Sequence, residues 1–316
     1  MLPELSRRHW LVGTAGALAT RSCSVASAAD PIPPASNAEP FRYCLNTSTI
    51  RGQKLGIVAE AELASKAGYN GFEPWMGEIE DYVKKGGDLK DLGKRLEDLG
   101  LSLESAIGFA EWIVDDPARR KAGLETAKRD MAMVRTLGGK RIAAPPVGAT
   151  NIRLGDTLAL ADRYADLAKI GQSLGIAPQI EVWGFSQTLR RLGETVLIAM
   201  ESRCDNACVL PDIYHLYKGG SGFDSLKLLR GRTIGIFHLN DYPEIAPEKI
   251  GDADRVYPGD GTAPLKTVLR TLKEIGYSGM LSLELFNRDY WKREAAEVVA
   301  TGLAKMKSVV REAMKS

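Results

Sequence analysis

The sequence predicts a single-domain α/β protein built as a closed (β/α)8 barrel, and three observations carry that prediction. Short apolar runs alternate with longer stretches of helical period along residues 41–316. Glycines recur where each helix must stop before the next strand. The strand-like runs are continuously apolar, as parallel strands covered by helices on their outer side should be. With 44% hydrophobic and 26% charged residues among 316, the chain can bury one large core. Eight strand–helix units favour a closed barrel over an open doubly wound sheet. No GxGxxG follows the first strand, so a dinucleotide-binding domain has no support.

At the N-terminus, Ser6-Arg7-Arg8-His9-Trp10-Leu11 opens an apolar stretch that runs to Ala19, and small residues follow at Ala26-Ser27-Ala28. This predicts a Tat-type signal peptide over residues 1–28, cleaved after Ala28, and hence an exported, periplasmic or extracytoplasmic protein. The apolar stretch falls short of the roughly 20 residues that span a bilayer, so no stable membrane insertion is expected after cleavage. Residues 29–40 hold Pro31, Pro33, Pro34 and Pro40 and read as an extended linker into the barrel domain at 41–316. Loss of Arg7, Arg8, Arg21 and Glu4 with the leader leaves acids and bases in balance. No basic cluster remains to bind nucleic acid. Cys44, Cys204 and Cys208 are too few for a cysteine zinc site; Cys204 and Cys208 are spaced so that they could pair, although two reduced buried thiols is the favoured reading.

Strands are expected at Phe41 to Asn46, Gly71 to Trp75, Leu101 to Gly108, Arg141 to Pro145, Pro178 to Trp183, Ala207 to Ile213, Ile234 to Leu239 and Met280 to Phe286. Helical period fills the intervals, as in Leu158, Ala161, Ala165, Leu167 and Leu174, or Leu265, Val268, Leu269, Leu272 and Ile275. Stop signals stand at Gly68, Gly100, Gly138-Gly139, Gly175 and Gly276. The chain has three histidines, and two of them lie at strand ends, in Pro211-Asp212-Ile213-Tyr214-His215 and Phe237-His238-Leu239-Asn240-Asp241. Two further strands carry a lone acid, Gln179-Ile180-Glu181-Val182-Trp183 and Leu281-Ser282-Leu283-Glu284-Leu285. A carboxylate in such a run costs several kcal/mol unless it is paired or bound to a cation.

Four consecutive strands thus deliver Glu181, Asp212, His238 and Glu284 to the C-terminal rim, where chemistry is assembled in such barrels. Three carboxylates and one imidazole suit one divalent metal ion, with Mn²⁺, Mg²⁺ or Co²⁺ favoured and Zn²⁺ a further candidate. His215 is offset toward a substrate hydrogen bond. Asp241 would either orient the metal-bound imidazole as an outer partner or cap a turn. Trp183 and Trp112, with Trp75 and Phe109 behind them, offer aromatic faces to a sugar, and Glu73 and Asn46 point toward the same cavity as weaker substrate-binding candidates.

The segments Ile180-Glu181-Val182-Trp183-Gly184, Asp212-Ile213-Tyr214-His215, His238-Leu239-Asn240-Asp241, Tyr257-Pro258-Gly259-Asp260-Gly261 and Gly276-Tyr277-Ser278-Gly279 leading to Ser282-Leu283-Glu284 closely resemble the xylose isomerase-like TIM-barrel family. That family includes ketose 3-epimerases, hydroxypyruvate isomerases and inosose dehydratases. The resemblance implies that Glu181, Asp212, His238 and Glu284 hold one divalent ion, that the two glutamates are the acid–base pair, and that His215 touches substrate hydroxyls. The sequence departs from the ketose 3-epimerases at Gln187, where they carry a glutamate, and at Glu244, where they carry an arginine. Substrate contacts must therefore differ, and the long segment from Tyr242 to Val256 is long enough to form an active-site loop.

The expected activity is isomerisation or epimerisation of a small sugar, keto sugar or hydroxycarbonyl compound through an enediolate, with Glu181 and Glu284 moving the proton. The same site could serve a lyase or dehydratase acting on an inosose or 3-keto-glycoside, and a non-catalytic sugar-binding barrel is a third reading. The partner is a small carbohydrate, and the outer helices leave a homo-oligomer open.

Overall fold

Eight parallel strands, each at a run of apolar residues, form the wall of the barrel: β1 (Arg42–Asn46), β2 (Gly71–Glu73), β3 (Ser102–Leu103), β4 (Arg141–Ala144), β5 (Ala177–Glu181), β6 (Cys208–Leu210), β7 (Phe237–His238) and β8 (Met280–Leu283). The computed structural model describes residues 39–315; the expected leader and nearly all of the expected linker lie outside them. Ladders join β3-β2-β1-β8-β7 in one arc and β4-β5-β6 in another. Single bridges complete the ring, Ala106 to Ile142 between the β3 and β4 segments and Val209 to Ile234 and Asp212 to His238 between the β6 and β7 segments. Around it stand α1 (Ile57–Ala67), α2 (Met76–Lys84), α3 (Leu89–Asp98), α4 (Pro117–Thr136), α5 (Thr157–Leu174), α6 (Leu192–Glu201), α7 (Ile213–Gly219), α8 (Leu265–Glu274) and α9 (Ala295–Met314).

Local sequence explains these boundaries. Asp88, Asp116 and Asp156 cap α3, α4 and α5 by accepting backbone N–H bonds of the first turn. Gly68, Gly100, Gly138, Gly175 and Gly276 all take positive φ just past a helix, as their spacing predicted. Leu45, Phe72, Ile180, Val209, Phe237 and Leu283 are fully buried in the core. Each contributes about 1.5–3 kcal/mol of hydrophobic stabilisation.

Three strands are much shorter than their apolar runs. The β3 ladder ends at Leu103, before Glu104, whose carboxylate accepts from Lys140 and Arg141 at the start of β4. Near β7, the Gln179 amide replaces ladder bonds: its Oε1 accepts the Ile236 N–H at 3.0 Å and its Nε2 donates to Ser105 at 2.7 Å. Gly235 leaves room for that amide, since a Cβ there would lie 2.2 Å from the Gln179 oxygen. Strand six also ends before Asp212, which caps α7 by accepting the His215 N–H at 2.8 Å. Cys44, Cys204 and Cys208 are all free thiols, so the possible Cys204–Cys208 pair does not form. Among the described residues, no helix is long and apolar enough to cross a membrane.

Candidate metal centre

The strand directions bring three of the four expected ligands to one point. One ligand atom from each of Asp212, His238 and Glu284 lies within 4.8 Å of the other two, and all three residues are buried. Asp212 reaches it from the cap of α7, His238 from the last residue of β7, and Glu284 from the residue after β8. Glu181, the last residue of β5, lines the same cavity but is not part of that close trio.

His238 is held by its far side. Its Nε2 lies 3.0 Å from the Glu73 carboxylate, which also accepts from Ser282 at 2.7 Å and from Asn46 at 3.0 Å. A carboxylate is acceptor-only, so the Nε2–H donates to Glu73 and Nδ1 is left facing Glu284 Oε2 at 3.2 Å and Asp212 Oδ2 at 3.6 Å. Nδ1 has no hydrogen-bond partner of good geometry. An imidazole lone pair and two carboxylate oxygens turned on one point repel unless a proton or a metal cation sits among them. Burial would lower the imidazole's affinity for protons, but Glu284 and Glu73 raise it well above the ordinary histidine value. Glu73 moves the opposite way: burial disfavours its charge, yet the cationic ring and three hydrogen bonds hold it below the usual carboxylate range. This donor set, with the outer ring nitrogen tied to a carboxylate, fits a divalent cation.

Glu181 has a different environment. Its Oε2 is buried without a partner, and burial together with Glu284 pushes the carboxyl up to about 8. In the absence of a cation, burial and the neighbouring Glu284 thus favour the protonated carboxyl.

Arg255, absent from the sequence-based site, enters from the loop after β7 and is 1% exposed. One nitrogen, Nη1, donates to Asp212 Oδ2 at 3.0 Å and Glu284 Oε2 at 2.8 Å, while Nη2 donates to Asp252 at 2.6 Å. Burial alone would push Asp212 up, but the charge of Arg255 and the neighbouring His238 ring hold it well below the carboxylate range. Nη2 also lies 3.1 Å from His215 Nε2, and the Gly184 N–H lies 3.3 Å from Nδ1 of the same ring. A neutral imidazole offers one acceptor, so only one of these contacts is a hydrogen bond at a time. Burial and Arg255 keep His215 below its ordinary value, hence neutral. Arg255 stands in Asp252-Ala253-Asp254-Arg255-Val256-Tyr257, beside other charges rather than alone in an apolar run, so the rule that singled out the lone acids does not find it.

The cavity above the trio measures about 220 Å³. Glu181, Glu284, His215, Asp252 and Arg255 form its polar side and Trp75, Phe109, Trp183, Phe185 and Phe286 its aromatic side. Larger clefts of about 520 Å³ around Glu60 and about 800 Å³ around Ser102 contain none of the trio, so the chemistry belongs to the smaller cavity.

Four expectations need correction. Trp112 is 1% exposed, donates to the Pro145 carbonyl at 3.0 Å and meets Tyr164 edge-on, so it fills the wall beneath the rim and offers no sugar platform. Glu73 is fully buried behind His238 and orients that ring; it is not a substrate contact. Asn46 is likewise buried, donating to Glu73 and Glu284 and accepting from the Trp75 indole. Of the two roles open to Asp241, orienting the imidazole is not found and capping the turn is. Its carboxylate gathers the backbone N–H groups of Tyr242, Gly259, Gly261 and Ala263 and ties down the following loop.

Comparison with known proteins agrees with this fold. An inosose isomerase of Bacillus velezensis is 28% identical over 85% of this chain and 97% of its own length. An L-ribulose 3-epimerase of Mesorhizobium japonicum is 22% identical over 71% of this chain and 72% of its own. A solved structure of the IolI protein with a bound zinc atom superposes with a TM-score of 0.81 at 25% identity, covering 87% of this chain and all of that one. The family model for the xylose isomerase-like TIM barrel matches residues 61–309, and the chain belongs to that family.

Proposed function

We propose that the chain is a metal-dependent isomerase or epimerase of a small keto sugar or cyclic polyhydroxy ketone, and that it works by moving the proton on the carbon beside the carbonyl. The observation that carries this reading is the Glu181 carboxyl, buried, with Oε2 unpartnered, and pushed up to about 8, facing the cavity that Glu284 of the Asp212, His238 and Glu284 trio also lines. Asp212, His238 and Glu284 would hold the ion, Mn²⁺, Mg²⁺ or Co²⁺ suiting them best and Zn²⁺ next. When bound, it would supply a Lewis acid for the substrate's carbonyl oxygen.

The side chains do the rest. With its carboxyl ionised beside the bound ion, Glu181 Oε2 would accept the C–H proton and return it to the neighbouring carbon in isomerisation; in epimerisation Glu181 keeps that proton and Glu284, reaching in from β8, would deliver a different one, taken up from water, to the opposite face. His215 and Arg255 face hydroxyl or carbonyl oxygens, and the rings of Trp75, Phe109, Trp183 and Phe185 pack against C–H faces and keep water from the reacting carbon. Inosose and L-ribulose, the substrate types named for the two relatives above, are both polyhydroxy ketones, which is why that class heads the panel below.

The test is exchange of substrate C–H for deuterium in deuterated water, followed by NMR on a panel of inososes, pentuloses and hexuloses with Mn²⁺ present. Wild type should exchange at least one member, and Glu181→Gln should lower that rate by about 10²–10⁴-fold while still binding Mn²⁺. Net loss of water from a substrate would instead assign elimination. No exchange by wild type across the panel would overturn the reading.

A further inference from the structure

Arg255 poses a problem that the metal reading leaves open. Its Nη1 touches Asp212 Oδ2 and Glu284 Oε2, the same two oxygens that face His238 Nδ1. A cation is thus already shared by two of the three groups that would hold the ion. Nor is it loosely placed: its guanidinium lies between the rings of Tyr214, at 4.3 Å, and Phe286, at 4.9 Å. Asp252 takes Nη2, and the Arg255 backbone carbonyl accepts from Asn287 at 3.0 Å.

We propose that Arg255 is a fixed internal counter-cation: it keeps the metal-free carboxylate cluster folded and shares Asp212 and Glu284 with the divalent ion, so the ion is held more weakly than the ligands alone would hold it. This rests on the metal reading above. Its physical basis is that two like charges on the same carboxylates, in a site shielded from water, repel strongly, whereas unpaired buried carboxylates are costly in the empty protein. A guanidinium that merely braced the ligands would aid both the fold and the ion. A counter-cation aids the first and opposes the second.

The experiment uses the full chain stripped of metal, with Mn²⁺ titrated by electron paramagnetic resonance and thermal unfolding recorded without metal. Arg255→Gln, and the apolar Arg255→Met as a second neutral replacement, should bind Mn²⁺ at least about tenfold more tightly than wild type and should melt at lower temperature when metal-free. Arg255→Lys, which keeps the charge, should stay within about threefold of wild-type affinity. Equal or weaker Mn²⁺ binding by both neutral variants overturns the proposal, as does Arg255→Lys binding as tightly as they do. Wild-type deuterium exchange on the ketose panel separates the two ideas. Exchange that persists beside an unchanged Mn²⁺ affinity of the neutral variants sinks the counter-cation alone, whereas absence of Mn²⁺ binding in every form sinks both.

Discussion

Glu73 and His238 are a pair in which one residue decides what the other offers to the cavity. Because Glu73 takes the Nε2–H, Nδ1 is the nitrogen turned toward Asp212 and Glu284. Glu73→Gln keeps the size and an acceptor oxygen but removes the charge that supports the ring. Mn²⁺ affinity, measured by calorimetry, should therefore fall about 10–100-fold with the fold intact, opposite in sign to the effect at Arg255. An unchanged affinity would mean that Glu73 serves only to fill the barrel. Asp212, His238 and Glu284 were readable in the sequence because a lone charge in an apolar strand has few places to go, and the strand order put them side by side. Trp112 was misread because an indole after a strand can turn beneath the rim as easily as over the cavity, and its Nε1 found a carbonyl there. Glu73 and Asn46 were placed in the right region but given the wrong role, since only the side-chain network shows that they face His238 and Glu284 from behind. Arg255 comes from a loop whose path is set by contacts distant in sequence, and no local period announces it.

Elements position these groups as much as the groups themselves do. The loop after β7 leaves the barrel at Asp241, pairs Asp241 with Val256 across an antiparallel bridge, and so delivers Arg255 to the site. Asp241 fastens this loop by accepting four backbone N–H groups, although burial pushes its carboxyl above the ordinary value. Asp241→Ala leaves those donors without an acceptor and should destabilise the protein by about 2–3 kcal/mol in urea unfolding. Amide exchange should quicken at Gly259, Gly261 and Ala263 while the β1–β8 ladder stays protected. Loss of protection throughout the barrel would show that Asp241 supports the whole fold rather than this loop. The barrel itself was legible because strand runs, helix stops and their recurrence all agree, and the positive φ values of Gly68, Gly100, Gly138, Gly175 and Gly276 are the structural form of that signal. Strand lengths were not. An apolar run gives no hint that the Gln179 amide from across the barrel will take the Ile236 N–H in place of a ladder bond.

The whole molecule carries more buried acid than its candidate site uses, and Glu60 shows what that does to stability. It lies on α1, 2% exposed, with Oε2 unpartnered. Burial and the nearby Glu78 push its carboxyl from 4.5 up to about 8, against a Gly56 backbone hydrogen bond and the charge of Arg51. In the unfolded chain the proton leaves near 4.5; in the folded protein it stays until about 8. Between these values the folded state binds the extra proton, so the contribution of Glu60 to stability is greatest below pH 4.5 and declines as pH rises to about 8. The slope is at most about 1.4 kcal/mol per pH unit, and less where water in the adjoining cleft screens the charge. Glu60→Gln has the same shape and no proton to lose. In metal-free protein its melting temperature should draw ahead of wild type steadily from pH 5 to pH 8, because every other titrating group is common to both and cancels in the difference. Melting curves for the two proteins that shift in parallel over that range would mean that Glu60 is already ionised in the folded barrel, with Arg51 close enough to compensate it in full.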